Sequence, residues 1–385
     1  QRRWALPEQT GTWDVRALLR SIPVMTKADL VERFEEISVQ AVSKSATRKT
    51  TGGSTGQPVT LWKNADALAR ERAATYRSYE WAGVEPGAPQ ARFWGVPHAR
   101  SRQLYYAAVD LIANRRRFSA FNFDEQSLAR YYHDLVRFKP KYLYGYVSML
   151  QQFAQFLAAT GKRLPPSVVA VITTSEVLSE NVRAELNRSF LVPIFNEYGC
   201  GEVGSIAHEC EHGRLHVMAE NLIVEVLDDQ GSAAKQGELV VTDLHNRATP
   251  LIRYRIGDFA TVLEGPCKCG RGLPCLERVH GRAYDFVRTP DGLRIHPESI
   301  IYVFEMVKED GMPIRQFQVE QTDLRNLLVR LVVGDGFAER HELRIKDLIG
   351  RYVSPHFRIQ FARVESIPRE KSGKLRLVKS RAELI

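Results

Sequence analysis

Cysteine is scarce, with five residues in a chain of 385, too few for the disulfide framework of a small stapled scaffold. Long apolar runs are missing as well. No window reaches the ~18 consecutive apolar residues of a membrane-spanning helix, and the opening residues Gln1 to Pro7 carry no apolar run of the kind a signal peptide needs. Both absences lead to the expectation of a cytoplasmic chain with no membrane partner. There is also no internal repeat, no low-complexity stretch and no basic tail. The longest basic run, Arg115-Arg116-Arg117, is short, and the other arginines are spread along the whole chain, so a nucleic-acid partner is not expected.

What remains is an average soluble composition, 44% hydrophobic and 26% charged, which excludes global disorder and supplies a sizeable core. At this length one core does not suffice, and a large domain plus a smaller one is expected. Lys plus Arg number 54 against 45 for Asp plus Glu, a net charge of +9 that favours an anionic partner, and charge alone does not choose among a nucleic acid, a membrane surface and a phosphorylated small molecule.

Helical spacing marks Asp66 to Trp81, a stretch after Asp124 with Leu128, Tyr131, Tyr132, Leu135 and Val136, and a third helix with Val147, Leu150, Phe153, Ala154 and Leu157 that ends at Gly161. Apolar runs at Val168 to Ile172 and Val192 to Phe195 flank a helix opening near Ser179. That alternation predicts an α/β core. Beyond Gly204 the texture becomes β-rich, with strands expected at Leu222 to Leu227, Glu238 to Thr242 and Leu251 to Tyr254. After Asp285, strands at Gln316 to Glu320, Leu327 to Val333 and Phe357 to Val364 and a helix from Phe337 to Ile349 read as an α+β domain, with the joint at Gly281 to Tyr284. The predicted domains are therefore 1–281 and 282–385.

Four segments can carry chemistry. Lys49-Thr50-Thr51-Gly52-Gly53-Ser54-Thr55-Gly56-Gln57-Pro58 packs hydroxyls and glycines where the chain must turn; its amides and hydroxyls can wrap phosphate oxygens, although a plain surface turn has the same composition. Phe195-Asn196-Glu197-Tyr198-Gly199-Cys200-Gly201-Glu202 follows an apolar strand, where α/β sheets bind ligands. Tyr198 offers a flat face for a base and Glu202 a hard oxygen for magnesium; a buried tyrosine and a solvated glutamate are the plainer alternative. Leu251 to Asp258 ends in a carboxylate able to accept two ribose hydroxyls, or simply a turn aspartate. Pro368 to Arg376 is a basic, glycine-bearing loop near the end.

Taken together and in this order, the four segments resemble the signatures of the adenylate-forming superfamily of acyl-CoA synthetases, luciferases and peptide-synthetase adenylation domains. The branch most similar is the phenylacetate-CoA ligase family with its capsule-biosynthesis-type relatives, through Phe138-Lys139-Pro140-Lys141-Tyr142 and Gly145-Tyr146-Val147-Ser148. The resemblance implies a large N-terminal adenylate-forming domain, made of an α/β core and a β-rich subdomain, and a smaller mobile α+β C-terminal domain. It implies a phosphate loop at Thr51 to Gly56 (Thr51, Gly53, Ser54, Thr55 and Gly56), an acidic residue before the adenine pocket at Glu176, adenine contacts from Asn196 and Tyr198, a magnesium ligand in Glu202, a ribose-binding Asp258, the joint arginine Arg282 and the adenylating lysine Lys374. ATP, Mg2+ and CoA follow as cofactors and co-substrates, a carboxylic acid as small-molecule partner, and a homodimer is compatible with the branch.

The chain departs from the family pattern in places. No lysine follows Gly56-Gln57-Pro58, Gly201 stands where a hydroxyl residue often precedes the glutamate, and Tyr284 takes the place of the usual acidic hinge residue, with Asp285 next. An N-terminal stretch present in many relatives is expected to be short or missing. Trp94, His98, Tyr146 and Ser205 are acid-pocket residues by position, or core residues.

The cysteines cluster. Glu209-Cys210-Glu211-His212-Gly213-Arg214-Leu215-His216 and Cys267-Lys268-Cys269-Gly270 combine thiols and imidazoles suited to a tetrahedral structural zinc; similar branch members pair a Cys and a His with a later Cys-x-Cys-Gly-Arg. The favoured ligands are Cys210, His216, Cys267 and Cys269, with His212 or Cys275 as substitutes, and unliganded thiols as the alternative. The function expected is ATP-dependent carboxylate-CoA ligation through an acyl-adenylate. Transfer of the acyl group to an amine or a carrier-protein thiol is one rival, and a zinc-stabilised basic nucleic-acid-binding module is another.

Overall fold

A computed structural model describes residues 14–43, 45–50, 59–94, 107–119, 125–282, 287–289, 294–295, 297–368 and 376–380. After short N-terminal helical turns, β1 (Thr47–Thr50) pairs antiparallel with β2 (Thr60–Lys63), and α1 (Ala65–Trp81) follows. Extended Asn64 opens α1, Asp66 sits in its first turn where the helix dipole favours a carboxylate, and Gly83 at φ +71° lies just past its end. Next come β3 (Gln90–Trp94), β4 (Arg115–Ser119), α2 (Glu125–Phe138), β5 (Tyr142–Tyr146), α3 (Val147–Thr160), β6 (Ala170–Thr174) and α4 (Glu180–Phe190). Left-handed Gly161 ends α3 as its sequence predicts, and the Ser179 hydroxyl accepts from the Val182 amide at the start of α4.

The β-rich stretch runs through β7 (Ile194–Cys200), β8 (Gly204–Glu209), β9 (Leu215–Val217), β10 (Leu222–Leu227), β11 (Gln236–Asp243), β12 (Tyr254–Val262) and β13 (Cys275–Arg282). Last are β14 (Val287–Arg288), β15 (Arg294–Ile295), α5 (Pro297–Glu309), β16 (Ile314–Gln321), β17 (Asn326–Val333), α6 (Glu339–Tyr352), β18 (Arg358–Arg363) and β19 (Val378–Ser380). No helix of the described residues is long and apolar enough to cross a membrane.

The chain forms two compact units, 1–86 with 195–279, and 87–194 with 280–385. In the first, strands lie in the order β10-β11-β12-β13-β9-β8-β7. Leu30, Val59, Ile206, Val241, Leu251 and Tyr254 are buried together there, and Ala207, Leu239, Ala260 and Leu276 form a neighbouring cluster. Each Leu, Ile or Val side chain among them contributes about 1.5–3 kcal/mol on full burial. The expected strand at Leu251 to Tyr254 needs correction, since β12 starts only at Tyr254. The cause is Arg253, held at φ +49° while its guanidinium donates to Glu225 and to the Ile22 carbonyl and its amide to the Thr242 hydroxyl. A turn there satisfies buried groups that a straight strand would leave apart.

In the second unit β6-β5-β3-β4 form a parallel sheet. Ala91, Phe93, Phe118, Leu143 and Val171 from one face pack with Leu135 of α2, Phe153 of α3 and Leu186 of α4. All five residues of β5 are buried, so the strand shows no polar alternation to mark it in the sequence. The C-terminal strands form a second sheet, β18-β17-β16-β19, around Val303, Phe304, Phe317, Val329, Ile345 and Leu348. Helix α5 lies outside the sequence expectations, although Pro297 at its first position is the usual opening signal.

Candidate functional site

Of the predicted nucleotide residues within the described chain, Asn196 and Tyr198 stand on β7 and Asp258 on β12. Tyr198 of β7 donates its hydroxyl hydrogen to Asp258 Oδ2 of β12 over 2.6 Å. Asp258 is buried, and Gly257 just before it takes φ +80°. A short bond to a carboxylate is charge-assisted, so each partner fixes the other's rotamer. Asn196, on the same strand as Tyr198, is held through its backbone, its amide donating to Glu209 Oε2 over 2.7 Å.

Glu202 sits half-buried in the turn from β7 to β8. That turn admits no side chain at its flanks. A Cβ on Gly199 would strike the Gly204 carbonyl, and one on Gly204, itself at φ +86°, would strike the Glu71 carboxylate of α1. The clash at Gly199 is with backbone and cannot be relieved by a rotamer change. Cys200, between them, is pushed well up by burial, in keeping with a packing role.

In the second unit Glu176 follows β6, and both of its oxygens are engaged. The Ser148 amide donates to Oε2 over 2.7 Å and the Ser148 hydroxyl to Oε1 over 3.0 Å. The carboxylate thereby caps the first turn of α3, where orphan amides and the helix dipole favour a negative charge. At the carboxyl ends of β3 and β5, Trp94 and Tyr146 touch with ring centroids 4.2 Å apart, and the Arg92 guanidinium lies 4.6 Å from the Trp94 ring and 4.8 Å from that of Tyr144. The expected phosphate-binding residues Thr51, Gly53, Ser54, Thr55 and Gly56 lie outside the described residues, as do Lys374, His98, Tyr284 and Asp285. Arg282 ends β13, and only its backbone is described.

The four expected metal ligands converge. Cys210 follows β8, His216 lies in β9, and Cys267 and Cys269 lie between β12 and β13; their donor atoms all fall within 4.8 Å of one another. Cys210 Sγ and Cys267 Sγ are 3.7 Å apart, and Cys269 Sγ is 3.1 Å from His216 Nε2. Tetrahedral thiolates at zinc distances would stand about 3.8 Å apart, which the Cys210–Cys267 separation matches. His216 turns Nε2 toward this group and Nδ1 toward Cys275 Sγ, 3.3 Å away. His212 meets Cys210 Sγ through its amide, over 3.4 Å. Burial raises the Cys210 thiol to about 11 and Cys275 to about 12. At Cys269 burial also acts upward, but hydrogen bonds from Arg271, Cys267 and Cys210 bring the thiol below its ordinary value.

Three polar side chains on α1 escaped the sequence reading. Glu71 meets Lys63 Nζ at 2.9 Å and Lys49 Nζ at 3.7 Å. Four residues on, Thr75 donates to the Ser205 hydroxyl over 3.2 Å, and that hydroxyl donates to Glu197 Oε1 over 3.3 Å. Tyr79, another turn along, donates to Glu197 Oε2 over 2.8 Å, and His208 Nε2 lies 3.1 Å from the Ser205 hydroxyl. The spacing 71, 75, 79 puts all three on one helix face, which is the signal the sequence held.

Against known proteins, the family model of the CapK C-terminal domain matches residues 287–381. Protein CapK of Staphylococcus aureus is 24% identical over 369 residues, covering 94% of this chain and 80% of that one. The phenylacetate-coenzyme A ligase of Escherichia coli K12 is 22% identical, over 73% of this chain and 65% of its own length. Among solved structures, 2-hydroxyisobutyryl-CoA ligase in the postadenylation state in complex with R3-HIB-AMP superposes with a TM-score of 0.72 at 18% identity, covering 94% of this chain and 80% of that one. The chain is thus homologous to CapK and to phenylacetate-CoA ligases, and its fold is that of the adenylate-forming CoA ligases.

Proposed function

We propose that the protein is an ATP-dependent carboxylate-CoA ligase that works through an acyl-adenylate. The observation that carries this reading is the Tyr198 to Asp258 hydrogen bond, which joins the expected base-binding and ribose-binding side chains across sixty residues of sequence. Homology to phenylacetate-CoA ligases supports the same chemistry.

A carboxylate is a poor electrophile until one oxygen is bonded to AMP. In the first step that oxygen attacks the α-phosphorus of ATP and pyrophosphate departs; in the second a thiol attacks the acyl carbon and AMP departs. Asn196 and Tyr198 take the adenine, Asp258 the ribose hydroxyls, and Thr51 to Gly56 the phosphates. Glu202 is the oxygen ligand for a magnesium ion, which when bound neutralises phosphate charge. Lys374 supplies an ammonium where negative charge builds on the α-phosphate, an effect worth about 3–4 kcal/mol when a single preorganised donor is removed elsewhere. Glu176 holds the edge of the site by fixing α3, and Arg282 marks the joint. The boundary lies at 281/282, and the C-terminal domain closes for the first step and turns away for the second.

Cys210, His216, Cys267 and Cys269 hold a structural zinc in this reading. Four protein ligands leave no open position, so the ion ties β9 to the loop before β13 and takes no part in the reaction. The thiols would stay reduced in the expected cytoplasmic setting.

The deciding experiment is ATP–pyrophosphate exchange across a panel of aromatic and aliphatic acids, followed by CoA-dependent release of AMP. Exchange without a CoA requirement moves the reading to an amine or carrier-protein acceptor. Absence of exchange with every acid, together with steeply salt-dependent nucleic-acid binding, replaces it with the basic module.

A further inference from the structure

The parallel sheet of the second unit has one apolar face and one charged, aromatic face. Alternation along the strands sends Ala91, Phe93, Phe118 and Leu143 into the core. The register then gathers Arg92 and Trp94 of β3, Arg115 and Arg117 of β4, and Tyr144 of β5 on the opposite face, with Tyr146 two residues beyond Tyr144. Three guanidinium groups there face a single carboxylate. Asp110, in the helical segment 107–112, is held by Arg117 in a fork, Nε donating to Oδ2 and Nη2 to Oδ1, both over 2.9 Å. Arg115 shares the same Oδ1 at 3.5 Å. Arg92 meets no carboxylate among the described residues, and its guanidinium lies against the rings of Trp94 and Tyr144. Nε of Arg92 and Nε of Arg115 are both buried with no acceptor among the described residues. Burial and then Arg92 weaken proton binding by Arg115, against the pull of Asp110.

A guanidinium stacked on aromatic faces keeps its N–H edge for a planar anion. A buried N–H without an acceptor costs free energy that such an anion recovers. Position says where the anion comes from. In the order β6-β5-β3-β4, β3 connects one way to β4 and β5 the other way to β6, so the winding reverses between β3 and β5. Ligands of open α/β sheets bind at that reversal, outside the carboxyl ends of the strands. Trp94 and Tyr146 are those ends, in contact with each other, and Arg92 lies two residues back on β3 against the Trp94 ring. We propose that the carboxylic acid bound by this protein carries a second anionic group, and that Arg92 is the specificity-determining residue that receives it. Arg115 adds to the positive field there. The substrate class is then a dicarboxylic acid, or a carboxylic acid with a sulfonate or phosphate at its far end. This rests on the ligase reading, since it takes the bound acid to be the one that is adenylated.

The test is ATP–pyrophosphate exchange by the full chain, with acids in pairs that differ in the second charge: hexanoate with adipate, benzoate with terephthalate, phenylacetate with para-phenylenediacetate. In the parent, kcat/KM for the diacid should exceed that of its monoacid partner by about tenfold or more in at least one pair, the scale of one bond to a charged group. Arg92→Gln should abolish the preference, and Arg92→Lys, which keeps the charge but not the fork, should retain part of it. A parent that favours the diacid in no pair overturns the proposal, as does a preference that survives in Arg92→Gln. Equal loss on both acids in Arg92→Gln and Arg92→Lys also overturns it, because that marks a disturbed fold. AMP release with CoA and with dephospho-CoA separates a second source of the anion: a defect of Arg92→Gln seen only with CoA assigns the site to the thiol substrate and overturns the proposal. A parent with no exchange on any acid overturns the ligase reading, and this assignment with it, an outcome distinct from the others.

Discussion

The Tyr198 hydroxyl, itself half-buried, donates to the buried Asp258 carboxylate over 2.6 Å. Tyr198→Phe removes the donor while keeping the ring, so one oxygen of a buried carboxylate loses a charge-assisted bond worth about 1.5–3 kcal/mol. The unfolding free energy from urea titration should fall by that order. Because the ring face remains, binding of AMP should weaken less than in Asp258→Ala, which also removes the proposed ribose acceptor. Equal affinity for AMP in Asp258→Ala and the parent would detach this pair from the nucleotide.

The metal cluster makes a second prediction. Purified protein should carry about one zinc per chain by elemental analysis, and Cys210→Ser, Cys267→Ser and Cys269→Ser should each lose it. Cys275→Ser should keep it, because Cys275 faces His216 Nδ1 and not the Nε2 that looks toward the cluster. Stripping the ion with a chelator should lower the melting temperature, since a bound ion would join β9 to the loop before β13. Zinc retained by Cys269→Ser but lost by Cys275→Ser would exchange their roles.

His208 links stability to pH. It is buried, and burial holds its imidazole below the ordinary 6.5, with Glu197 acting in the opposite direction. The folded protein thus keeps His208 neutral where the unfolded chain begins to bind a proton, so the unfolded state binds more protons below that value. Stability from this group is complete above about pH 6.5 and is lost as pH falls toward the folded value, with a slope of at most about 1.4 kcal/mol per pH unit. His208→Gln should flatten that part of the profile in urea titrations of zinc-loaded protein between about pH 5 and 7. A His208→Gln profile parallel to the parent's assigns the slope to other groups.

The parts of this molecule that were legible in sequence are those with local causes. Gly161 and Ser179 mark the boundaries of α3 and α4 because caps act within one turn. The convergence of Cys210, His216, Cys267 and Cys269 was legible because thiols and imidazoles in two short segments have few other uses in a β-rich region. Strand β5 was not, because burial on both faces erases its period, nor was the turn at Arg253, which depends on Glu225 and Ile22. Glu176 was singled out as acidic and near the nucleotide, but its hydrogen bonds to Ser148 come from a loop and a helix start that only the fold brings together. The Lys49, Lys63 and Glu71 group was hidden for the same reason: its charges sit on two strands and a helix, and no spacing rule links them.

Lys374 offers the sharpest separation of the two half-reactions. It lies in the basic, glycine-bearing sequence Pro368 to Arg376, within the segment that matches the CapK C-terminal domain. If its ammonium meets the α-phosphate only while pyrophosphate leaves, its removal affects adenylation and leaves the thiol's attack on the acyl carbon unaided but intact. Lys374→Ala should therefore reduce ATP–pyrophosphate exchange by at least about a hundredfold, the scale of losing one preorganised donor. Thioester formation from a supplied acyl-adenylate and CoA should stay within about threefold of the parent, because that step needs no new charge on the phosphate beyond the departing AMP. Equal loss of both half-reactions would mean that Lys374 acts through folding or domain closure, and not on the phosphate.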